Sequence, residues 1–316
     1  MLEGEALVPG VPEQEIEMGR SGNRDSRRQL IVNADDFGLT KNVSEGILKA
    51  IGHGVVTSTS VMANMPTALE TVGRLSSVGC RSIGIHLNLT SGAAVRSQRT
   101  RITDADGTFV GAGRVWWLGI IRRLPVLEIQ AELEAQIELL KNQGIEISHI
   151  DGHHHIHILP QLVPIVCALS KKYNIRAVRY PYTKGYGLVG LERAKWRLLN
   201  HYARQSRHAF LVNGLAMPDH FLAWYARGDH TLNHLKQTIE SIGSGVTEVG
   251  VHPGFIDETL VGMDSYRTER DFELQALCDP SLSEFLCHRG IGMTNFASLA
   301  ASHREPAMVG PDPISR

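Results

Sequence analysis

Short apolar runs that break off at polar, chemistry-bearing residues recur along this chain. Residues 30–33, Leu-Ile-Val-Asn, stop at Ala34-Asp35-Asp36-Phe37-Gly38. That pattern predicts a buried strand ending in a polar loop. Thr40 is placed to cap a helix over 42–52, where Val43, Ile47 and Ala50/Ile51 recur at helical spacing. The unit then repeats. A β-rich run over 57–63 ends at Asn64-Met65-Pro66 and precedes a helical stretch over 67–77, and an apolar run over 82–85 ends at His86-Leu87-Asn88. The clearest helix covers 128–142, with Ile129, Leu133, Ile137 and Leu140 in one stripe, acidic residues around it and Gly144 as the stop. A strand over 145–150 runs into Asp151-Gly152-His153-His154-His155. Further on, the pattern predicts helices over 160–172, 191–205 and 231–242, and near 269–278 and 281–288. It predicts strands over 175–178 (ending at Arg179-Tyr180-Pro181), 210–212, 246–251 (ending at His252-Pro253-Gly254) and 291–295.

Strands alternating with helices imply a parallel sheet. About seven such units within 29–300 predict an α/β fold of TIM-like, distorted (β/α) barrel type with about seven parallel strands. The polar segment 1–28 reads as a disordered extension and 301–316, with three prolines, as a loose tail. No dinucleotide-type glycine fingerprint follows the first strand and no P-loop is present. A formal net charge of -1 gives no bulk attraction to nucleic acid. The four cysteines form no CxxC pair and read as buried thiols of a reducing compartment. There is no apolar run of spanning length, and the N-terminus lacks the pattern of a secretory signal, so the default expectation is cytoplasmic.

The informative feature is positional. Asp35/Asp36, His86, His153, Arg179 and His252 each follow a predicted strand, and in a β/α barrel those ends open onto one face. An arbitrary Asp-Asp pair most often caps a helix or turn; directly after a buried strand, one carboxylate can bind a cation while the other handles a proton. The segment 149–157 holds five histidines and one aspartate. In an extended chain 149, 151, 153, 155 and 157 share a face, so spacing leaves His153 and His155 both open as ligands. Two imidazoles and a carboxylate make a three-ligand site with open positions, the arrangement of a catalytic rather than a structural metal. His252 suits protonation of a leaving amine. Arg179 can orient a carboxylate or contact an oxyanion, and equally a structural ion pair.

Five collinear motifs carry a resemblance: LIVNADDFGL (30–39), GVVTSTS (54–60), GIHLNLT (84–90), HIDGHHHIHILP (149–160) and VHPGFID (251–257). Together they resemble the YdjC-like carbohydrate deacetylases, which include chitooligosaccharide deacetylases and a hopanoid-pathway branch. The resemblance implies a distorted barrel, Asp35 as general base, and one divalent metal ion (Mg or Zn) held by Asp36, His86 and His153. It implies His252 as acid or substrate contact, an N-acetylglucosamine-containing substrate that loses acetyl, and a homodimer in many members. Arg179 and Tyr180 are further substrate candidates, and Trp116, Trp117 or Tyr180 could stack on a sugar ring. The segments 91–127 and 184–208 lie outside the motifs and bear on substrate choice. Rival readings are a metal-dependent phosphoesterase, a non-catalytic sugar-binding protein and a deacetylase of a lipid-linked sugar. For the last, the apolar, arginine-bearing run 114–127 offers an interfacial surface, although a buried or dimer-forming helix is its commoner use.

Overall fold

The structure is a computed structural model describing residues 27–96, 99–183, 190–224 and 228–303. The expectations for 1–26 and 304–316 lie outside the described residues. Seven strands form one sheet: β1 (Arg28–Phe37), β2 (Ser58–Val61), β3 (Ile83–Leu87), β4 (Ile147–Gly152), β5 (His220–Ala223), β6 (Gly245–Val251) and β7 (Gly292–Met293). The order is β4-β3-β2-β1-β6-β5, every pairing is parallel, and β7 joins the start of β1 on the edge that β2 takes further along. Between β4 and β5 the wall is completed by thin bridges, Ile150 to Val178 and Ala177 to Ala216. The result is the predicted distorted barrel, with one side reduced to isolated bridges.

Several expectations need correction. Residues 175–178 make bridges rather than a strand. Residues 210–212 are the last turn of a helix, Gly190–Val212; three apolar residues are too few to distinguish the two periods. Strand β5 went unseen because it is four residues long and starts at an exposed histidine. The helix Ala112–Ile120 also stands outside the expected strand–helix alternation. The cysteines are all free, but only Cys80 and Cys167 are buried and Cys287 is exposed. Among the described residues no helix is long and apolar enough to cross a membrane.

Side-chain alternation along the strands separates two environments. Leu30, Val32 and Ala34 of β1, Ile83, Ile85 and Leu87 of β3, and Val249 and Val251 of β6 face the main core under the outer helices. The inner face is small and layered. Ile31, Ala177, Ala216 and Phe296 form an apolar plug at the bottom. Above it the interior turns polar: Asn33, Ser60, His149, Asp151, Arg179 and Glu248 are all buried. His149 stacks on Phe296 with ring centroids 3.9 Å apart. Its own ring lies where a Cβ on Gly84 would fall, 2.4 Å away. Burial pushes the His149 imidazole down to about 3, so it is neutral at neutral pH. An alanine at 84 must displace that ring, and Gly84→Ala should cost about 1–3 kcal/mol of stability in urea unfolding; an unchanged midpoint would contradict this packing.

Candidate metal centre

Two successive carboxylates reach the mouth of the barrel because β1 is irregular. Its register with β2 runs Ala34 to Thr59 and then Phe37 to Val61, one residue extra on β1. Within this bulge Asp36 takes φ 68°. A bulge re-aims side chains that strict alternation would send to opposite faces. Asp35 therefore points into the polar interior and Asp36 toward β3 and the segment after β4.

That segment, His153–Ile158, is a short 3-10 turn in which His154 and His155 have positive φ. The extended alternation expected across 149–157 stops at Gly152. Its consequence is to separate the histidines. His149 and Asp151 stay on the inner face, His153 turns to Asp36, His154 bonds Thr90 Oγ1 at 2.9 Å, and His155 is buried beside Trp196 and Phe221. Of the two histidines that spacing left open, backbone geometry stands His153, and not His155, beside Asp36 and His86.

The ligand atoms of Asp36, His86 and His153 lie within 4.8 Å of one another. Asp36 Oδ1 is 2.9 Å from His153 Nδ1 and 3.4 Å from His86 Nε2. It is buried, yet neither ring is oriented to give it a hydrogen bond. An orphaned carboxylate oxygen facing two ring nitrogens is a donor set that a cation completes. Burial opposes the Asp36 charge, but His153 and Arg270 outweigh it and hold its carboxyl well below the usual range. Arg270, itself buried, donates to Asp36 Oδ2 at 2.7 Å and so leaves Oδ1 as the oxygen facing the two rings. A second trio, Asp35, His86 and Asp151, is equally close, but Arg179 already neutralises two of its members.

Behind His86 stands Asp151, its partner across the β3–β4 pairing. His86 Nδ1 and Asp151 Oδ1 are 2.8 Å apart. With the proton on Nδ1, Nε2 presents its lone pair toward Asp36. Burial disfavours an imidazolium here, but Asp151 and Asp36 more than compensate and lift the His86 pKa to about 10. Asp151 also accepts from Ser60 Oγ at 2.8 Å.

Arg179 lies beneath Asp35. Its two terminal nitrogens donate to Asp35 Oδ2 and Oδ1 at 2.6 and 2.7 Å, Nε donates to Glu248 at 2.7 Å, and Asp151 is 3.0 Å away. The guanidinium is fully buried, so it can act on a substrate only through the carboxylates it holds. Burial and the neighbouring carboxylates Asp35 and Asp151 push Glu248 up to about 7, against the pull of Arg179. Tyr180 is likewise buried and stacks on Tyr182. Trp116 stacks on Tyr202 and donates to the His154 carbonyl, while Trp117 points outward under Arg114.

His252 follows β6 and is 17% exposed, more open than His153 at 12%. Its Nε2 is 3.8 Å from Asp35 Oδ2. Buried Glu273 accepts from the His252 backbone N–H and from Tyr266, whose ring meets the His252 ring edge-on. Sequence reading missed Asp151, Glu248, Arg270 and Glu273 as parts of the site. For the first two a signal existed, a carboxylate inside an otherwise buried strand. Arg270 and Glu273 sit in a helix with no local mark.

A carbohydrate deacetylase of Brevibacillus brevis is 32% identical over 86% of this chain and 99% of its own length. One of Vibrio parahaemolyticus is 30% identical over 87% and 97%. A crystal structure from Enterococcus faecalis V583, named for cellobiose-phosphate cleavage, is 27% identical over 87% of this chain and 99% of its own, with a TM-score of 0.68. Residues 29–288 match the YdjC-like protein family, and with relatives of this likeness the chain belongs to that family.

Proposed function

We propose that this protein is a carbohydrate deacetylase that hydrolyses the N-acetyl group of an N-acetylglucosamine-containing sugar, with one divalent ion held by Asp36, His86 and His153. The observation that carries the proposal is the orphaned, buried Asp36 Oδ1 between two imidazole nitrogens, with a second carboxylate and a partly exposed histidine alongside. When bound, the ion supplies Lewis acidity for the acetamide carbonyl and lowers the pKa of a water.

The chain's own residues divide the proton work. Asp35, fixed by both arms of Arg179, takes a proton from the attacking water. The water oxygen bonds to the acyl carbon, the C–N bond breaks, and His252 gives its proton to the departing sugar nitrogen. Acetate and the amino sugar leave. His252 Nε2 and Asp35 Oδ2 lie 3.8 Å apart, so an acid and a base stand side by side at one mouth. The anchoring of the His252 backbone by Glu273 keeps that ring at the mouth.

Two outcomes follow. Asp35→Asn and His252→Gln should each lower acetate release from N-acetylglucosamine oligomers by about 10²–10⁴ in kcat, the usual worth of a general base or acid; equal rates in wild type and Asp35→Asn would defeat the assignment. His86, with its pKa near 10, carries a second proton at neutral pH that an ion must displace. Zinc titration of stripped protein at pH 7, by calorimetry in buffers of different ionisation enthalpy, should register about one proton released from this site. Affinity should therefore rise with pH, by about tenfold per unit below the His86 pKa. Asp151→Asn, which removes the charge that raises that pKa, should reduce the release, and identical release in both proteins would contradict the pairing.

A further inference from the structure

The helix Ala112–Ile120 has two unlike faces. Its inner face is fastened to the turn that carries His153. Val115, Leu118 and Gly119 are buried, Gly119 lies against Leu159, Trp116 Nε1 donates to the His154 carbonyl at 3.1 Å and Gln161 donates to the Gly119 carbonyl at 3.0 Å. The outer face carries Trp117, Ile120 and Ile121 at i, i+3 and i+4, and all are exposed, Trp117 by half. Val126 and Leu127 extend the apolar surface past the next turn, with Leu127 79% exposed. Five exposed apolar side chains between 117 and 127 are more than the scattered apolar exposure of an ordinary surface.

Charge identifies the partner. From Gly107 to Leu127 the sequence contains Arg114, Arg122 and Arg123 and no Asp or Glu, in a chain whose net charge is -1. Arg114 lies 5.3 Å over the Trp117 ring. On its other side Arg114 also lines, with Arg99 and Arg101, a concavity of about 430 Å³ that Thr100, Thr103 and Asp104 complete. An apolar strip with a tryptophan, bordered by arginines and an arginine-lined hollow, fits a surface that is apolar below and anionic above. An isologous contact through this same stretch would offer its arginines no acidic partner, because residues 107–127 contain none.

We propose that this face docks on anionic lipid bilayers, with Trp117, Ile120, Ile121 and Leu127 entering the headgroup boundary and Arg114, Arg122 and Arg123 meeting the lipid phosphates. Vesicle binding is read without turnover, so its failure is distinguishable from failure of the deacetylase reading.

The test is co-sedimentation of the full chain with vesicles of phosphatidylglycerol and phosphatidylcholine in equal parts, and with phosphatidylcholine alone. Binding is expected to the first and not the second, weakening as salt is raised. Arg122→Ser/Arg123→Ser should reduce partitioning about 30-fold, and Trp117→Ser/Ile121→Ser at least about tenfold. Both pairs are exposed, and circular dichroism should show both variants folded. No binding to the anionic vesicles, or equal binding by both variants and the parent, would overturn the proposal. So would a dimer in sedimentation velocity that Trp117→Ser/Ile121→Ser dissociates, since the face would then belong to a second copy.

Discussion

Inside the barrel three carboxylates share one guanidinium. Arg179 binds Asp35 through both terminal nitrogens, reaches Glu248 through Nε and lies beside Asp151. Each of these acids is buried and none could stay ionised alone, because desolvating an isolated carboxylate costs several kcal/mol or more. Through Asp35 the cation fixes the carboxylate proposed to handle the water proton. Through Asp151 it fixes the group that sets the tautomer of His86. Lysine cannot substitute for it, since no ammonium presents paired donors to one carboxylate and a third to another. Glu248 is pushed up to about 7, so near neutral pH it relieves part of the excess of negative charge by holding a proton.

The interior is thus graded along its axis. At the bottom Phe296 and Ile31 close it with apolar surface. In the middle, hydrogen bonds run from Asn33 to Ser60 and from Ser60 to Asp151, with His149 beside them. At the top, one oxygen of Asp36 is held by Arg270 and the other is left without a donor. These side-chain hydrogen bonds brace the mouth, where one oxygen of Asp36 faces the two imidazoles.

How much of this the sequence disclosed depends on how local each cause is. Residues 30–33, 82–85 and 246–251 announce their strands because apolar runs and their polar ends lie within a few positions. Asp35, Asp36, His86, His153 and His252 stand out because each follows such a run, and the structure brings all five to one mouth. The bulge that turns Asp36 aside from Asp35 has no such mark, since it exists only in the register between β1 and β2. Nor does Arg270, 234 residues from the carboxylate it holds. The run at 210–212 misled because three apolar residues end a helix as readily as they make a strand. Arg179 was visible at its strand end, but its role was not, because burial and three distant acids decide it.

The most direct test is anomalous diffraction from crystals of the protein loaded with zinc. The account predicts a single ion bound by Asp36 Oδ1, His86 Nε2 and His153 Nδ1 at about 2.0–2.2 Å, with Arg270 still on Asp36 Oδ2 and Asp151 still on His86 Nδ1. An ion ligated by His155 or by Asp35 with Asp151, or none bound at this mouth, would contradict it.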